Sequence, residues 1–115
     1  MGDIRIKRVE SLLKEKISEM ILKNELKDPR LDNLITITRL QVTKDYKSAK
    51  VYISYFGDKE KHSIIVQVLN NAAGFIQSII GKRIKLRNTP KLKFYEDHSI
   101  EKGFEITQKL KDLFS

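Results

Sequence analysis

Cysteine is missing from all 115 residues. Its absence excludes disulfides, thiolate nucleophiles and cysteine-ligated metal sites together. A small domain without bridges suits a reducing compartment. Long apolar runs are missing too, and no stretch approaches the roughly 20 residues a membrane helix needs. The opening Met1-Gly2-Asp3-Ile4-Arg5 lacks the apolar core of a signal peptide. Gly2 starts a myristoylation-like string, but Arg5-Ile6 lacks the Ser or Thr that signal wants. These absences lead to the expectation of a cytoplasmic protein with no membrane partner. Catalytic strings are equally scarce: there is no P-loop, no GxSxG and no HExxH. His62 and His98 are isolated, and Asp97-His98 has neither a nearby nucleophile nor a third ligand. Asp28, Asp32, Asp45 and Asp97 adjoin turns, where aspartate ordinarily caps. The expectation is therefore no enzyme, no cofactor, no metal and no small-molecule substrate.

What the chain does have is positive charge. There are 23 basic and 15 acidic residues, a net charge of +8, and a pI of about 9.7. A field of that sign favours polyanions, nucleic acid first and anionic membrane second. Charged residues are 33% of the chain, above the roughly 25% of ordinary domains, while 40% are hydrophobic. The apolar residues recur periodically, so the charge reads as a solvated surface over one core and not as disorder. The length fits one domain, residues 1–115.

Residues 6–24 read as an amphipathic helix. Val9, Leu12, Leu13, Ile17, Met20 and Ile21 recur at spacings of three and four. Glu10–Lys14 and Glu19–Lys23 are favourable pairs one turn apart. Asp28-Pro29 is expected to stop this helix. Residues 34–42 carry the β-branched signature of a strand. Its parity changes from Ile35 and Ile37 to Leu40 and Val42, so it is either buried on both faces or bulged near Thr38-Arg39. A second strand with Ala49, Val51, Ile53 and Tyr55 on one face follows a short polar connection, which implies an antiparallel hairpin. Residues 62–71 read as a helix with Ile64, Ile65, Val68, Leu69 and Ala72 on its apolar side. Ile76, Ile79 and Ile80 begin another, ending at or just past Gly81. Between them lies Ala72-Ala73-Gly74, where glycine is tolerated if it opens a kink or admits a second backbone. Residues 91–97 alternate as a third strand, with Leu92 and Phe94 inward and Lys91, Lys93 and Tyr95 outward. Ser99 can cap a last helix bearing Phe104, Ile106, Leu110, Leu113 and Phe114. Three strands with packed helices make an α+β layer fold.

Residues 82–93 hold six basic side chains, Lys82, Arg83, Lys85, Arg87, Lys91 and Lys93, and no acid. Such contacts supply most non-specific nucleic-acid affinity through counterion release. Their bland alternative is a strand edge guarded by lysine. The Ala72–Gly74 interruption resembles the glycine-bearing turns of nucleic-acid-binding helix pairs, with close helix packing as its alternative. Arg5, Lys7 and Arg8 oppose the helix dipole at the start of the first helix, a placement an anion would compensate. A DNA-binding helix–turn–helix regulator is the competing reading, but residues 75–80 offer base edges only Gln77 and Ser78. A hydrolase using Asp97 and His98 is a third.

Six strings occur in a particular order: Arg5-x-x-Arg8-Val9, Asp28-Pro29-Arg30, Ile35-Thr36-Ile37-Thr38, Asp45-x-x-x-Ala49-x-Val51-Tyr52, Ala72-Ala73-Gly74, and Leu86-Arg87-x-Thr89-Pro90-x-Leu92-x-Phe94-x-x-Asp97. In that order the chain resembles the ribosome-binding factor A family, bacterial small-subunit assembly factors, over about residues 5–113. The resemblance implies a single KH-like domain related to the type II KH fold, with an Ala-x-Gly helix kink replacing the usual GxxG loop. It implies partners in the free 30S subunit and 16S rRNA, a role in late 16S rRNA maturation near the 5′-terminal helix, and growth at low temperature. The RNA-binding residues expected are Arg5, Arg8, Ala72, Gly74, Lys82, Arg83, Lys85, Arg87, Lys91 and Lys93, on a monomer. Relatives often carry a longer charged C-terminal tail than this chain, which stops at Ser115.

Overall fold

Helix α1 spans Asp3–Leu22, followed by strands β1 (Ile35–Val42) and β2 (Ser48–Tyr55). One turn of 3-10 helix at Lys59–Lys61 leads into α2 (His62–Asn71), α3 (Ala73–Arg83) and β3 (Lys91–Glu96). The computed structural model describes residues 3–86 and 88–98. Arg87 and the expected last helix lie outside them.

The periodicities translate directly into burial. Leu13, Ile17 and Met20 of α1 are fully buried, as are Ile76 and Ile80 of α3 and Leu69 of α2. They pack on one face of the sheet, against Ile35, Ile37, Leu40 and Val42 of β1, Ala49, Val51 and Ile53 of β2, and Leu92 and Phe94 of β3. Ile64 departs from its expected place and is 43% exposed.

The end of α1 also differs from expectation. The helix stops at Leu22, well before Asp28-Pro29. Asn24 takes the left-handed conformation, φ 53°, and the Asn24 and Glu25 amides bond back to the Ile21 and Met20 carbonyls at 3.1 and 3.0 Å. That pair of bonds is a Schellman motif, and asparagine tolerates the conformation it requires. Asp28 instead orders the following loop. The pairs expected along α1 are rearranged as well. Glu10 accepts the Val42 N–H at 2.9 Å, tying α1 to the end of β1. Glu19 lies 3.6 Å from Lys16.

The sheet order is β1-β2-β3. β1 and β2 form the expected antiparallel hairpin, and its register shifts between Ile37 and Arg39. Thr38 is the extra residue, so the parity change is a bulge that turns both Thr38 and Arg39 away from the helices. The Thr38 hydroxyl is hydrogen-bonded to the Asp97 carboxylate and lies 3.2 Å from the Tyr52 carbonyl oxygen. Asp97, expected as a turn cap, is thus a buried anchor for the bulge. β3 lies parallel to β2. A parallel neighbour requires a long crossover, and α2 with α3 supplies it.

At the outer edge of β3, one side chain takes the place of a fourth strand. Asn70 accepts the Phe94 N–H at 2.7 Å and donates to the Phe94 carbonyl at 3.0 Å. Gln77 donates to the Thr89 carbonyl at 3.1 Å and holds the loop that enters β3. The two helices therefore fix both the strand and its approach. The β2–α2–α3–β3 path, bent between its helices, is the layout the KH-like expectation calls for.

Candidate nucleic-acid interface

Three segments distant in sequence meet at one end of the molecule. They are the first turns of α1, the β1–β2 turn and the loop from α3 to β3. Arg5, Arg8, Val9, Asp45, Tyr46, Leu86 and Asn88 line a cleft of about 680 Å³ between them. Arg5 and Arg8 are exposed, while Val9, Tyr46 and Leu86 are partly buried against the core. The cleft thus has an apolar floor and guanidinium groups at its rim, in the region where the dipole of α1 is positive. The carboxylate among these described residues, Asp45, is engaged locally. Asp45 accepts the Thr43 hydroxyl at 2.7 Å and the Lys47 N–H at 3.0 Å, and these bonds lower its pKa, the Thr43 bond most. Tyr46 closes that turn with φ 61°, an unusual backbone for a bulky residue.

The basic run divides into three groups. Lys82 and Arg83 end α3, Lys85 is exposed in the following loop, and Lys91 and Lys93 stand exposed on β3. Lys91 joins the hairpin turn through its N–H, which donates to the Lys47 carbonyl at 2.9 Å. Arg83 is committed elsewhere. It makes a bidentate pair with Glu25, both bonds 2.8 Å, which holds the Glu25 carboxyl below the usual range and raises the arginine. Its role is to clasp the loop after α1 to the end of α3.

The bend between α2 and α3 is 55° and falls on Ala72, at φ −91° and ψ 0°. Gly74 follows it within the first turn of α3. Its φ is not positive, and a β-carbon there would meet nothing within 4 Å. Neither left-handed backbone nor close helix packing therefore accounts for this glycine. Phe75 beside it is 53% exposed. The first turn of α3 has no acidic residue and no side-chain cap. The bend presents a small, uncapped, acid-free step that another chain's backbone can approach closely. Beneath it, Leu26, Asp28, Arg30, Leu31, Val68, Asn71 and Ala72 line a shallower hollow of about 220 Å³. Asp28 accepts from Arg30 through both carboxylate oxygens, at 2.7–3.0 Å, which brings its pKa down to about 2. Sequence reasoning placed Arg30 only within a string. Its position beside the bend depends on the loop after α1, which no periodicity reveals.

The competing chemistries fare less well in place. Gln77, one of two polar groups available to a recognition helix, is occupied by Thr89. Asp97 holds the bulge, and His98 is 59% exposed with its ring 3.8 Å from Glu96. Among the described residues, no group of three or more His, Asp or Glu side chains is placed to hold a metal ion. No single helix among them is long and apolar enough to cross a membrane.

Comparison with known proteins adds a family. The family model described as ribosome-binding factor A matches residues 5–110. A curated relative from Acetivibrio thermocellus, named ribosome-binding factor A, is 49% identical over 90% of this chain and 84% of its own. The crystal structure of ribosome-binding factor A from Thermus thermophilus superposes with a TM-score of 0.67 at 27% identity, covering 79% of this chain and 94% of that one. A homology model of the Thermus thermophilus protein, fitted into a cryo-EM map of a complex of 30S with that factor, gives 0.64 at 27% identity, covering 79% and 93%.

Proposed function

The chain belongs to the ribosome-binding factor A family, and from that premise we propose that it binds the free small (30S) ribosomal subunit through 16S rRNA and assists that rRNA's late maturation. The observation that carries the reading is the cleft that Arg5 and Arg8 share with Leu86 and Asn88 of the loop between α3 and β3, over an apolar floor. Phosphates bind at this rim, and Lys85 and Arg87 are assigned to the same RNA contact. Lys82, Lys91 and Lys93 extend the positive field, and the step at Ala72 and Gly74 admits an RNA backbone. Arg83 positions the loop after α1 and makes no phosphate contact. The protein acts as one domain, residues 1–115, and as a monomer in the cytoplasm. It binds and orders RNA and catalyses no reaction. Processing near the 5′-terminal helix of 16S rRNA and growth in the cold are the family's implied outcomes of that binding.

Co-sedimentation with free 30S subunits tests the assignment. The double reversal Arg87→Glu and Lys91→Glu should weaken it strongly while the thermal melt of the protein stays in place. Retention at the wild-type level would defeat the assignment. The regulator reading predicts instead a gel shift that favours duplex DNA over rRNA fragments at physiological salt.

A further inference from the structure

The sheet has a second face, and no described element covers its central ranks. Across all three strands, Arg39, Tyr52 and Tyr95 occupy one cross-strand row. The Tyr52 and Tyr95 rings stack with centroids 5.6 Å apart and planes 27° from parallel. The Arg39 guanidinium lies 4.0 Å from the Tyr52 centroid, and the Lys93 ammonium lies 5.4 Å from that of Tyr95. The next row is Gln41, Lys50 and Lys93, and beyond it Lys91 stands opposite Ser48. Gln41, Lys50, Lys91 and Lys93 are exposed, and both tyrosines are partly so. Towards Ser54 and Asp97 the face closes, since both are buried.

We propose that this face binds an unpaired RNA strand, stacking a base on Tyr95, whose ring Tyr52 and Arg39 brace from the other side, and holding phosphates with Arg39, Lys50, Lys91 and Lys93. The proposal rests on the RNA-binding reading above and adds a second contact, on the side of the sheet away from the helices. Charge complementarity selects the occupant. Among the described residues, four cations share the face with one carboxylate, Asp97, which is already engaged by Thr38. Guarding an edge does not explain Lys50, which stands on the central strand, and at Phe94 the outer edge of β3 is already satisfied by Asn70. Aromatic rings beside a cationic track are the recurrent device for single strands, because every base has a face to stack. A duplex hides those faces, so unpaired RNA is the form that fits.

The test uses the full chain and a dye-labelled single-stranded ribo-oligomer of about eight nucleotides. An abasic oligomer with the same phosphates serves as its control. Binding is read by anisotropy at two salt concentrations, with 30S co-sedimentation in parallel. Tyr95→Leu should weaken the base-bearing oligomer about tenfold and erase its advantage over the abasic one. Tyr95→Phe, which keeps the ring, should restore both, and this pair separates stacking from loss of fold. Lys93→Gln should weaken both oligomers alike and flatten the salt dependence. Equal binding of the two oligomers by the wild type, or no effect of Tyr95→Leu, overturns the proposal. Loss of 30S binding in Tyr95→Leu with oligomer binding intact also overturns it, and assigns the face to a protein partner. Failure of the wild type to bind 30S refutes the proposed function and leaves the oligomer result to decide this face.

Discussion

Replacing Asn70 tests how the crossover helices hold β3. Its amide makes two bonds to Phe94, at 2.7 and 3.0 Å, and Phe94 itself is 1% exposed. Asn70→Leu keeps the branched outline and removes both bonds. A neutral hydrogen bond contributes about 0.5–1.5 kcal/mol net, and a buried polar group left unsatisfied costs about 1–3 kcal/mol. The Asn70 side chain is only partly buried, so water can reach part of the gap, and about 2–3 kcal/mol is expected. With a urea dependence of about 1 kcal/mol per molar, the midpoint of denaturation followed by circular dichroism falls by about 2–3 M. Asn70→Asp sharpens the test. Its carboxylate can still accept the Phe94 N–H, but it sets a charged oxygen against the Phe94 carbonyl. That placement raises the pKa of the introduced acid in the folded state. Stability relative to wild type is therefore retained below the unfolded value of about 3.9 and lost as pH rises through the higher folded value. A variant as stable as wild type at neutral pH would refute the clamp.

Four further expectations follow from particular side chains. A β-carbon on Gly57 would stand 2.4 Å from the Tyr55 ring, whose hydroxyl donates to Asp32 at 2.9 Å; Gly57→Ala should cost about 1–3 kcal/mol in a thermal melt, and an unchanged melt would show that the ring moves freely. The Asp28 carboxyl should titrate near pH 2 by NMR, since Arg30 stabilises its ionised form. Its contribution to the loop is present above the ordinary value of 3.8 and is lost as pH falls towards 2, so a midpoint at the ordinary value would dissolve the ion pair. Arg83→Gln should leave the salt dependence of 30S binding unchanged, whereas Lys85→Gln should reduce its slope by about 0.7–0.9; equal reductions would return Arg83 to the phosphate-binding set. The Tyr55 phenol should titrate above its usual 10.0, chiefly because its hydrogen bond to Asp32 favours the protonated form, and Asp32→Asn should lower it.

Much of this architecture is legible because apolar spacing and strand alternation are local signals. The stripe Leu13, Ile17 and Met20, the inward pair Leu92 and Phe94, and the interruption at Ala72 all have that character. Even the bulge announces itself, through the parity change between Ile37 and Leu40. Its consequence does not. Without the extra residue at Thr38, Arg39 would share the inward parity of Ile35 and Ile37. With it, Arg39 faces Tyr52 across a register that only the paired strands define. The Asn24 stop, the Asn70 clamp and the Arg83–Glu25 clasp are hidden for the same reason, since each depends on where a side chain finds backbone or charge after folding. The basic run shows the limit from the other side. Its charge density reads directly from the sequence, but its division among a helix end, a loop and a strand face does not. The cleft joining Arg5 and Arg8 to that loop needs three segments brought to one end of the sheet.

The most direct test of the central claim is the salt dependence of binding to free 30S subunits, measured for the wild type and for the double reversal Arg5→Glu and Arg8→Glu. Phosphate binding at the cleft predicts a steep wild-type slope, reduced by about 0.7–0.9 for each phosphate no longer neutralised, together with much weaker binding at low salt in a variant that melts normally. A double variant that binds with wild-type affinity and slope would contradict the account.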